Sequence, residues 1–185
     1  MDIPDLEILR ARGLDPLAVL HDAVAQGLDP PERVELYLRA SEYFWEEGLR
    51  LIDAGDLRQG GEKIWNSVVQ LVKAVAEARR WPHDTHRLVW AAVRRISQEL
   101  GDREVVKLFA QVEQLHVNFY EGHLERWDVD VFVEAAKTLR EKLGAARPPA
   151  TPSINLLYQL SYSWGMATCI SKGWGPLSTA SAAAL

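Results

Sequence analysis

Apolar residues between positions 16 and 144 recur at intervals of three and four, the spacing of one face of an α-helix. Helix-stop and helix-start signals divide this stretch at Gly27 to Pro31, Ala54-Gly55-Asp56, Trp81 to Asp84 and Gly101-Asp102. The pattern predicts a short helix over Pro16–Gln26 and helices capped by Asp29, Asp56 and Asp84. It predicts a further helix from 103 to about 125, and a last one from Asp128 or Asp130 to Leu143, closing at Gly144. No segment between 16 and 144 has the alternating period of a strand, so the predicted fold is all-α.

The short connections predict an up-and-down four-helix bundle with flanking short helices. Its first two long helices form an antiparallel hairpin joined by Ala54-Gly55-Asp56. We therefore expect an N-terminal helical extension over 1–28, a bundle domain over 29–146 and an atypical tail over 147–185. The chain of 185 residues is 48% hydrophobic, enough for one sizeable core.

Two histidines lie in an apolar stripe of the predicted helix over 103–125, which runs Val105, Phe109, Val112, His116, Phe119, His123. His116 and His123 are seven residues apart, so both imidazoles are predicted to face the core. Buried imidazoles need partners for both ring nitrogens. The structural interpretation is a pair of core histidines whose ring nitrogens are hydrogen-bonded to neighbouring residues. The functional interpretation is that an imidazole acts as a general acid or base at a crevice.

The last segment differs from the rest of the chain. From 148 to 185, Lys172 is the only charged residue, and Ser, Ala, Gly and Pro are frequent. We expect a disordered tail, or a segment from a shifted reading frame or insertion joined to a complete domain. Cys169 is the only cysteine, the start lacks the blocks of a signal peptide, and the longest uncharged run is too polar to span a bilayer. These features predict a cytoplasmic protein that does not enter a membrane.

Charge is unevenly distributed around the formal net value of -5. Residues 29–56 carry eight acids against three arginines, and 79–95 carry five arginines against one aspartate. Such polarity suits an anionic ligand or a complementary protein partner. The structural interpretation of the basic run is a set of exposed surface charges. The alternative is a patch that binds the phosphates along an RNA backbone. That candidate nucleic-acid-binding set is Arg79, Arg80, Arg87, Arg94 and Arg95.

Four other groups receive structural interpretations. The polar residues Glu62, Lys63, Asn66, Lys73 and Glu77 are predicted to form a solvated stripe, and His83 and His86 to be exposed. Trp65, Trp90 and Trp127 are predicted to be core or interface aromatics. Glu113 and His116 have the spacing of one half of a di-iron site, but no second Glu-x-x-His pair exists. We therefore predict no metal and no other cofactor.

The block from Asp53 to Arg79, with Asp53-Ala54-Gly55-Asp56 and Glu62-Lys63-Ile64-Trp65, resembles the archaeal PaREP family. So does Leu115-His116-Val117-Asn118-Phe119-Tyr120-Glu121, and the likeness covers about residues 31 to 145. That family is in turn similar to the HEPN superfamily of nucleotide-binding four-helix bundles. This resemblance implies dimerisation and either a metal-independent ribonuclease or a partner of a small nucleotidyltransferase.

HEPN nucleases place an arginine about five positions before the histidine of the last bundle helix. Matching that histidine to His123 puts Asn118 at the arginine position. Matching it to His116 instead puts Gln111 at that position. A neutral amide cannot stabilise a phosphorane-like transition state as a fixed cation does. The resemblance therefore implies a homodimeric module that binds nucleotide, RNA or a protein partner without strong catalysis.

Two alternatives remain open. One is a divergent ribonuclease with His123 at a dimer interface, helped by His116, Asn118 and Tyr120, with an arginine from a neighbouring helix or protomer. The other is a structural helical-hairpin interaction protein of the tetratricopeptide type, against which the lack of a repeat of about 34 residues argues.

Overall fold

The structure, a computed structural model, describes residues 16–146, all of whose regular secondary structure is α-helical. The all-α prediction is therefore confirmed for this part of the chain. The predictions for the tail over 147–185 and for Cys169 lie outside the described residues. The helices are α1 (Pro16–Ala25), α2 (Pro30–Asp53), α3 (Leu57–Ala78), α4 (His86–Leu100), α5 (Glu104–Glu121) and α6 (Arg126–Ala145).

Local signals set most of the helix starts. The Asp29 carboxylate accepts a hydrogen bond from the backbone N–H of Glu32, whose own side chain accepts one from Asp29, a capping box. Asp56 caps α3 as predicted, accepting from the N–H of Gln59 at 3.1 Å. The predicted cap of α4 is wrong by one residue, because Thr85 rather than Asp84 accepts from the backbone. Asp84 instead precedes the helix.

The last helix also differs from the prediction. It begins at Arg126, before Asp128 and Asp130, and continues through Gly144 to Ala145. The side chain of Asp128 accepts from the N–H of Glu125 at 3.0 Å, so it belongs to the first turn rather than the cap. An acidic residue in the first turn and one at the cap give the same signal in a sequence, which explains the error.

Helix α3 is the centre of the packing and contacts α2, α4, α5 and α6. It is apolar around most of its circumference, and fifteen of its residues are buried. The closest approach is to α2, where Gly48 and Gly60 let the two backbones meet: a Cβ on Gly60 would lie 2.8 Å from the backbone nitrogen of Ile52. Gly55, with φ of +89°, makes the turn between these helices, so the predicted hairpin is confirmed.

The three tryptophans, all predicted to be core or interface aromatics, differ in how deeply they are buried. Trp65 is buried, Trp90 packs partly buried against the core, and Trp127 at the start of α6 is 78% exposed. Trp127 is therefore not a core residue. Its position just after the cap puts it at the outer end of a helix, a position that periodicity does not reveal. No helix within residues 16–146 is long and apolar enough to cross a membrane.

Candidate functional site

Aromatic, imidazole and carboxylate side chains from three helices meet on one side of the molecule. On α5 they are spaced three or four residues apart, so they share one face, and that face lies against the start of α3 and the start of α4. We call this group the histidine cluster. Its members are Glu62, Trp65, His86, Trp90, Phe109, Glu113, His116 and Tyr120.

His116 pairs with a buried carboxylate. Its Nδ1 lies 2.8 Å from Oε2 of Glu62, whose side chain is 6% exposed, while the His116 side chain is 26% exposed. Burial lowers the pKa of His116, but the hydrogen bond and the charge of Glu62, with a smaller effect from Glu113, outweigh burial, so the pKa is raised. The carboxylate thus fixes the orientation of the ring and favours the imidazolium.

Aromatic rings enclose the same imidazole. Trp65 stacks on it with 5.4 Å between ring centroids and 21° between planes, and Tyr120 meets it edge-on at 5.2 Å. The pKa of Tyr120 is raised, by burial first and then by the charge of Glu62. Tyr120 is nonetheless 52% exposed, so the cluster reaches the surface at this phenol.

A second imidazole–carboxylate pair lies beside the first. Nε2 of His86 is 2.7 Å from Oε1 of Glu113, and the indole Nε1–H of Trp90 donates to the same oxygen at 3.0 Å. The rings of His86 and His116 are 6.4 Å apart. The prediction that His86 is exposed is confirmed, with 52% of its side chain accessible.

This arrangement favours binding of an anion or proton transfer. Within residues 16–146, Nε2 of His116 and Nδ1 of His86 have no hydrogen-bond partner. Either nitrogen can therefore donate to a ligand when its ring carries both protons. No group of three or more His, Cys, Asp or Glu side chains in the described part of the chain could hold a metal ion.

The basic run divides into two groups. Arg87 and Arg94 are exposed on α4, opposite the buried Val89, Val93 and Ile96, as the helical spacing predicts. The guanidinium of Arg94 lies 5.3 Å from the ring centroid of Trp90, which connects this arginine to the histidine cluster.

The other three arginines lie near the end of α3. Arg79 and Arg95 both pack over Trp81, and Arg79 also donates to Glu99 and to the carbonyl of Ala146. Arg80 adopts a left-handed backbone conformation with φ of 56°. Arg79 and Arg95 therefore share Trp81, whereas Arg94 lies over Trp90.

The predicted core position of His123 is wrong. Helix α5 ends at Glu121 and is capped by Gly122 at φ of +63°, so His123 follows the helix and is exposed. The apolar stripe stops with Phe119, and the two histidines do not share a face. Gly122 at this place is a helix-stop signal that the stripe obscured.

Asn118 is buried and serves the turn after α5. Its Oδ1 accepts from the N–H of Leu124 at 2.8 Å, and its Nδ2 has no partner among the described residues. Asn118 therefore takes part in a different contact from His116 and Tyr120, two other candidate site residues. Its structural contact fixes the chain that leads into α6.

Arg58 is a neighbour that the sequence did not indicate. Its guanidinium donates to the carbonyls of Phe119 (Nε, 3.1 Å) and Tyr120 (Nη2, 3.5 Å), and a Cβ added at Gly122 would lie 3.6 Å from its side chain. A cation at these carbonyls stabilises the C-terminus of α5. An arginine from α3 thus contacts the end of α5, and His123 is the next residue after Gly122 in the sequence.

The polar stripe of α3 is not solvated. Glu62, Asn66 and Lys73 are each less than 9% exposed, because α3 is covered on several sides at once. The signal that could have revealed this is that α3 has apolar residues beyond a single stripe, which is typical of a central helix. Likewise His83 is not exposed: 13% of its side chain is accessible, and its ring meets Tyr37 edge-on at 5.6 Å.

Comparison with known proteins gives both a family and a fold. The profile of the archaeal PaREP1/PaREP8 family matches residues 36–140, more than half of the chain. A crystal structure of a Sulfolobus solfataricus protein matches with a TM-score of 0.52 and 19% identity, covering 58% of this chain and 95% of that one. This likeness shows a shared fold alone. No curated protein matches significantly. The family match spans α2 to α6 up to Arg140 and includes every residue of the histidine cluster, so this chain belongs to the archaeal PaREP1/PaREP8 family.

Proposed function

We propose that this chain is a HEPN-like helical module that binds RNA or a nucleotide at the histidine cluster, without strong catalysis. The observation that carries the proposal is the junction of imidazoles, accessible aromatic edges and a cation. His86 and Tyr120 are each 52% exposed, and Arg94 lies over Trp90, whose indole shares a carboxylate with His86. Rings of this kind stack on bases, and cations of this kind contact phosphates.

The exposure of each side chain indicates which part of the ligand it would contact. Arg87 and Arg94 extend from the outer face of α4, where a phosphate can approach without desolvating a buried group. His86 and His116 supply imidazole N–H donors between the arginines and Tyr120. A polar ligand that reaches from α4 to α5 would therefore meet positive charge at one end and an aromatic ring at the other.

We expect weak catalysis because of the charges beside the two imidazoles. Within the described part of the chain, both imidazoles of the cluster are bonded to carboxylates, Glu62 and Glu113, and α5 contains no arginine. Two carboxylates next to a developing phosphorane dianion would oppose it. Such a site is better suited to hold a phosphate than to stabilise its transition state.

Fluorescence anisotropy with a labelled single-stranded RNA, repeated over a salt series, tests this function. We expect Arg87→Ala/Arg94→Ala to weaken binding by roughly tenfold or more and to reduce the slope of log K against log salt by about 1 to 2. Arg39→Ala/Arg103→Ala removes the same charge from exposed positions elsewhere and should change affinity by about twofold at most. Equal losses in the two double variants, or binding that does not depend on salt, would refute the proposal.

The second candidate function is a divergent metal-independent ribonuclease that uses His123. Its support is Arg58, which α3 places beside Gly122 and which could supply the cation missing from α5. The test is cleavage of labelled RNA in EDTA by the wild type, His123→Ala and Arg58→Lys. Cleavage lost in both variants would favour this function over simple binding, and equal cleavage by wild type and His123→Ala would exclude it.

Association belongs to the same proposal. We expect a homodimer, with a small nucleotidyltransferase as a possible class of protein partner, since both follow from the HEPN likeness. Sedimentation equilibrium of the full chain measures the first directly. A strictly monomeric protein that also fails to bind RNA would leave the structural helical-hairpin protein as the better interpretation.

A further inference from the structure

A polar pocket lies between α1, α2 and the C-terminal half of α3, and it shares no residue with the histidine cluster. Its volume is about 410 Å³, within the range of sites for small molecules. Charged and aromatic side chains form most of its wall: Asp22, Arg33, Tyr37, Lys73, Glu77 and His83. We call it the Lys73 pocket.

The ammonium of Lys73 forms the floor of this pocket. Lys73 is 8% exposed, and its Nζ lies 2.7 and 2.8 Å from the two carboxylate oxygens of Asp22. The same nitrogen is 5.9 Å from the ring centroid of Tyr37. A buried ammonium requires an anion at this position, because burying an unpaired charge is costly.

A second carboxylate in the wall, that of Glu77, is already neutralised. Glu77 accepts from Nε of Arg33 at 2.8 Å through Oε1, and its Oε2 lies 3.5 Å from Nε2 of His83. Among residues 16–146, Asp22 is therefore the one carboxylate in an ion pair with Lys73. Burial and the charges of Asp22 and Glu77 raise the pKa of Tyr37 to about 12, so its hydroxyl keeps its proton and can donate.

Asp22 is carried by a lightly packed helix. Helix α1 packs mainly against α2, and Val19, Leu20 and Val24 are 38%, 55% and 46% exposed. Ala25 is the buried contact that α1 makes with the small core formed with Tyr37 and Ala74. The Asp22 side chain itself is 48% exposed. Among the described residues few contacts would be lost if α1 moved away, whereas Lys73 would stay on α3, the helix at the centre of the packing.

From this asymmetry we infer that the Asp22 carboxylate occupies an anion site, which a small carboxylate- or phosphate-bearing molecule takes in its place when α1 moves aside. Lys73 and the Tyr37 hydroxyl would hold the anionic group. The acidic Asp84, which also lines the pocket, disfavours a polyanion such as RNA. The ligand class is therefore a small molecule with one anionic group, distinct from the ligand of the histidine cluster.

Binding of acetate and of inorganic phosphate to the full-length chain tests the inference, with sodium chloride at equal ionic strength as the blank. Asp22→Asn removes the internal competitor, and we expect it to bind one of the two anions at least tenfold more tightly than the wild type. The acetate and phosphate arms identify which group the site prefers. The double variant Asp22→Asn/Lys73→Met should bind neither anion. Methionine removes the ammonium at position 73 and keeps most of the length of the side chain. Equal affinity in wild type and Asp22→Asn, or binding retained in the double variant, would overturn the site.

Hydrogen exchange of the unmodified protein gives a second measurement that does not depend on a variant folding. Saturation with the preferred anion should accelerate exchange of the backbone N–H groups of residues 17–25, because α1 loses its ion pair to Lys73. Unchanged or slower exchange in α1 would contradict the displacement of Asp22. The Arg87→Ala/Arg94→Ala variant should behave as the wild type here, which separates this site from the proposed RNA site.

Discussion

Substituting Gly60 by alanine tests the packing that positions the histidine cluster, because Gly60 lies two residues before Glu62 at the crossing of α2 and α3. A Cβ at position 60 would lie 2.5 Å from Cγ1 of Ile52, 2.8 Å from its backbone nitrogen and 2.9 Å from the carbonyl oxygen of Gly48. Ordinary contacts of heavy atoms begin near ~3.5 Å. Two of these neighbours are backbone atoms, so relief requires the helices themselves to separate.

The expected loss follows from two opposing effects. Overpacking of a well-packed contact costs typically ~1–3 kcal/mol, and the upper end applies where backbone atoms clash. Alanine gains about 1 kcal/mol over glycine within a helix, which offsets part of this. We therefore expect Gly60→Ala to lower the free energy of unfolding by about 2 kcal/mol, or the melting temperature by roughly 4–8 °C.

The matched control is Gly144→Ala in α6, where no atom of residues 16–146 lies within 4 Å of the added Cβ. It should raise the free energy of unfolding by ~0.5–1 kcal/mol, because only the helix preference changes. Urea unfolding followed by circular dichroism measures both variants. If Gly60→Ala is as stable as Gly144→Ala, the close crossing of α2 and α3 is wrong, and so is the placement of Glu62 that depends on it.

Three further predictions follow from individual contacts. The raised pKa of His116 means that its pair with Glu62 stabilises the fold fully below about pH 6.5 and progressively less as pH rises through the folded-state pKa. The stability difference between wild type and Glu62→Gln should therefore shrink with rising pH, and a difference that grows would refute the assignment. Thr85→Ala should cost about 0.5–1 kcal/mol in chemical unfolding while Asp84→Asn stays within a few tenths, since Thr85 is the cap of α4; the reverse order would restore Asp84 as the cap. Ser67→Ala should cost ~1–3 kcal/mol by the same assay, because its buried hydroxyl donates to the carbonyl of Ser41, and a neutral effect would mean that water replaces it.

Most of the fold could be predicted from local signals, since a helix start or stop depends on a few neighbouring residues. Asp29 and Asp56 were assigned correctly because capping is a contact over three residues. The errors at Asp84 and Asp128 came from neighbouring polar residues that give the same signal one or two positions apart. The end of α5 is predicted too late because the helical spacing of the apolar stripe in the sequence reaches His123, whereas Gly122 stops the helix.

The candidate site could be predicted only in part. His116 was singled out because a polar ring in an apolar stripe is unusual, and the structure does place it at the centre of a cluster. Its partners Glu62, Trp65 and His86 lie 30 to 54 positions away, and helical spacing within one element carries no information about them. Arg58 was missed for the same reason, because its contact with the end of α5 spans 61 positions.

The sequence by itself determined the helical elements of residues 16–146 and the hairpin turn at Gly55, because backbone preferences, caps and apolar spacing act over one or two helical turns. Tertiary structure decided which sides of α3 its neighbours cover, and thereby that Glu62 and Lys73 are buried rather than solvated. Burial then decided their chemistry, because a carboxylate or an ammonium removed from water requires a partner of opposite charge. Those partners, His116 from α5 and Asp22 from α1, were selected by how the helices pack.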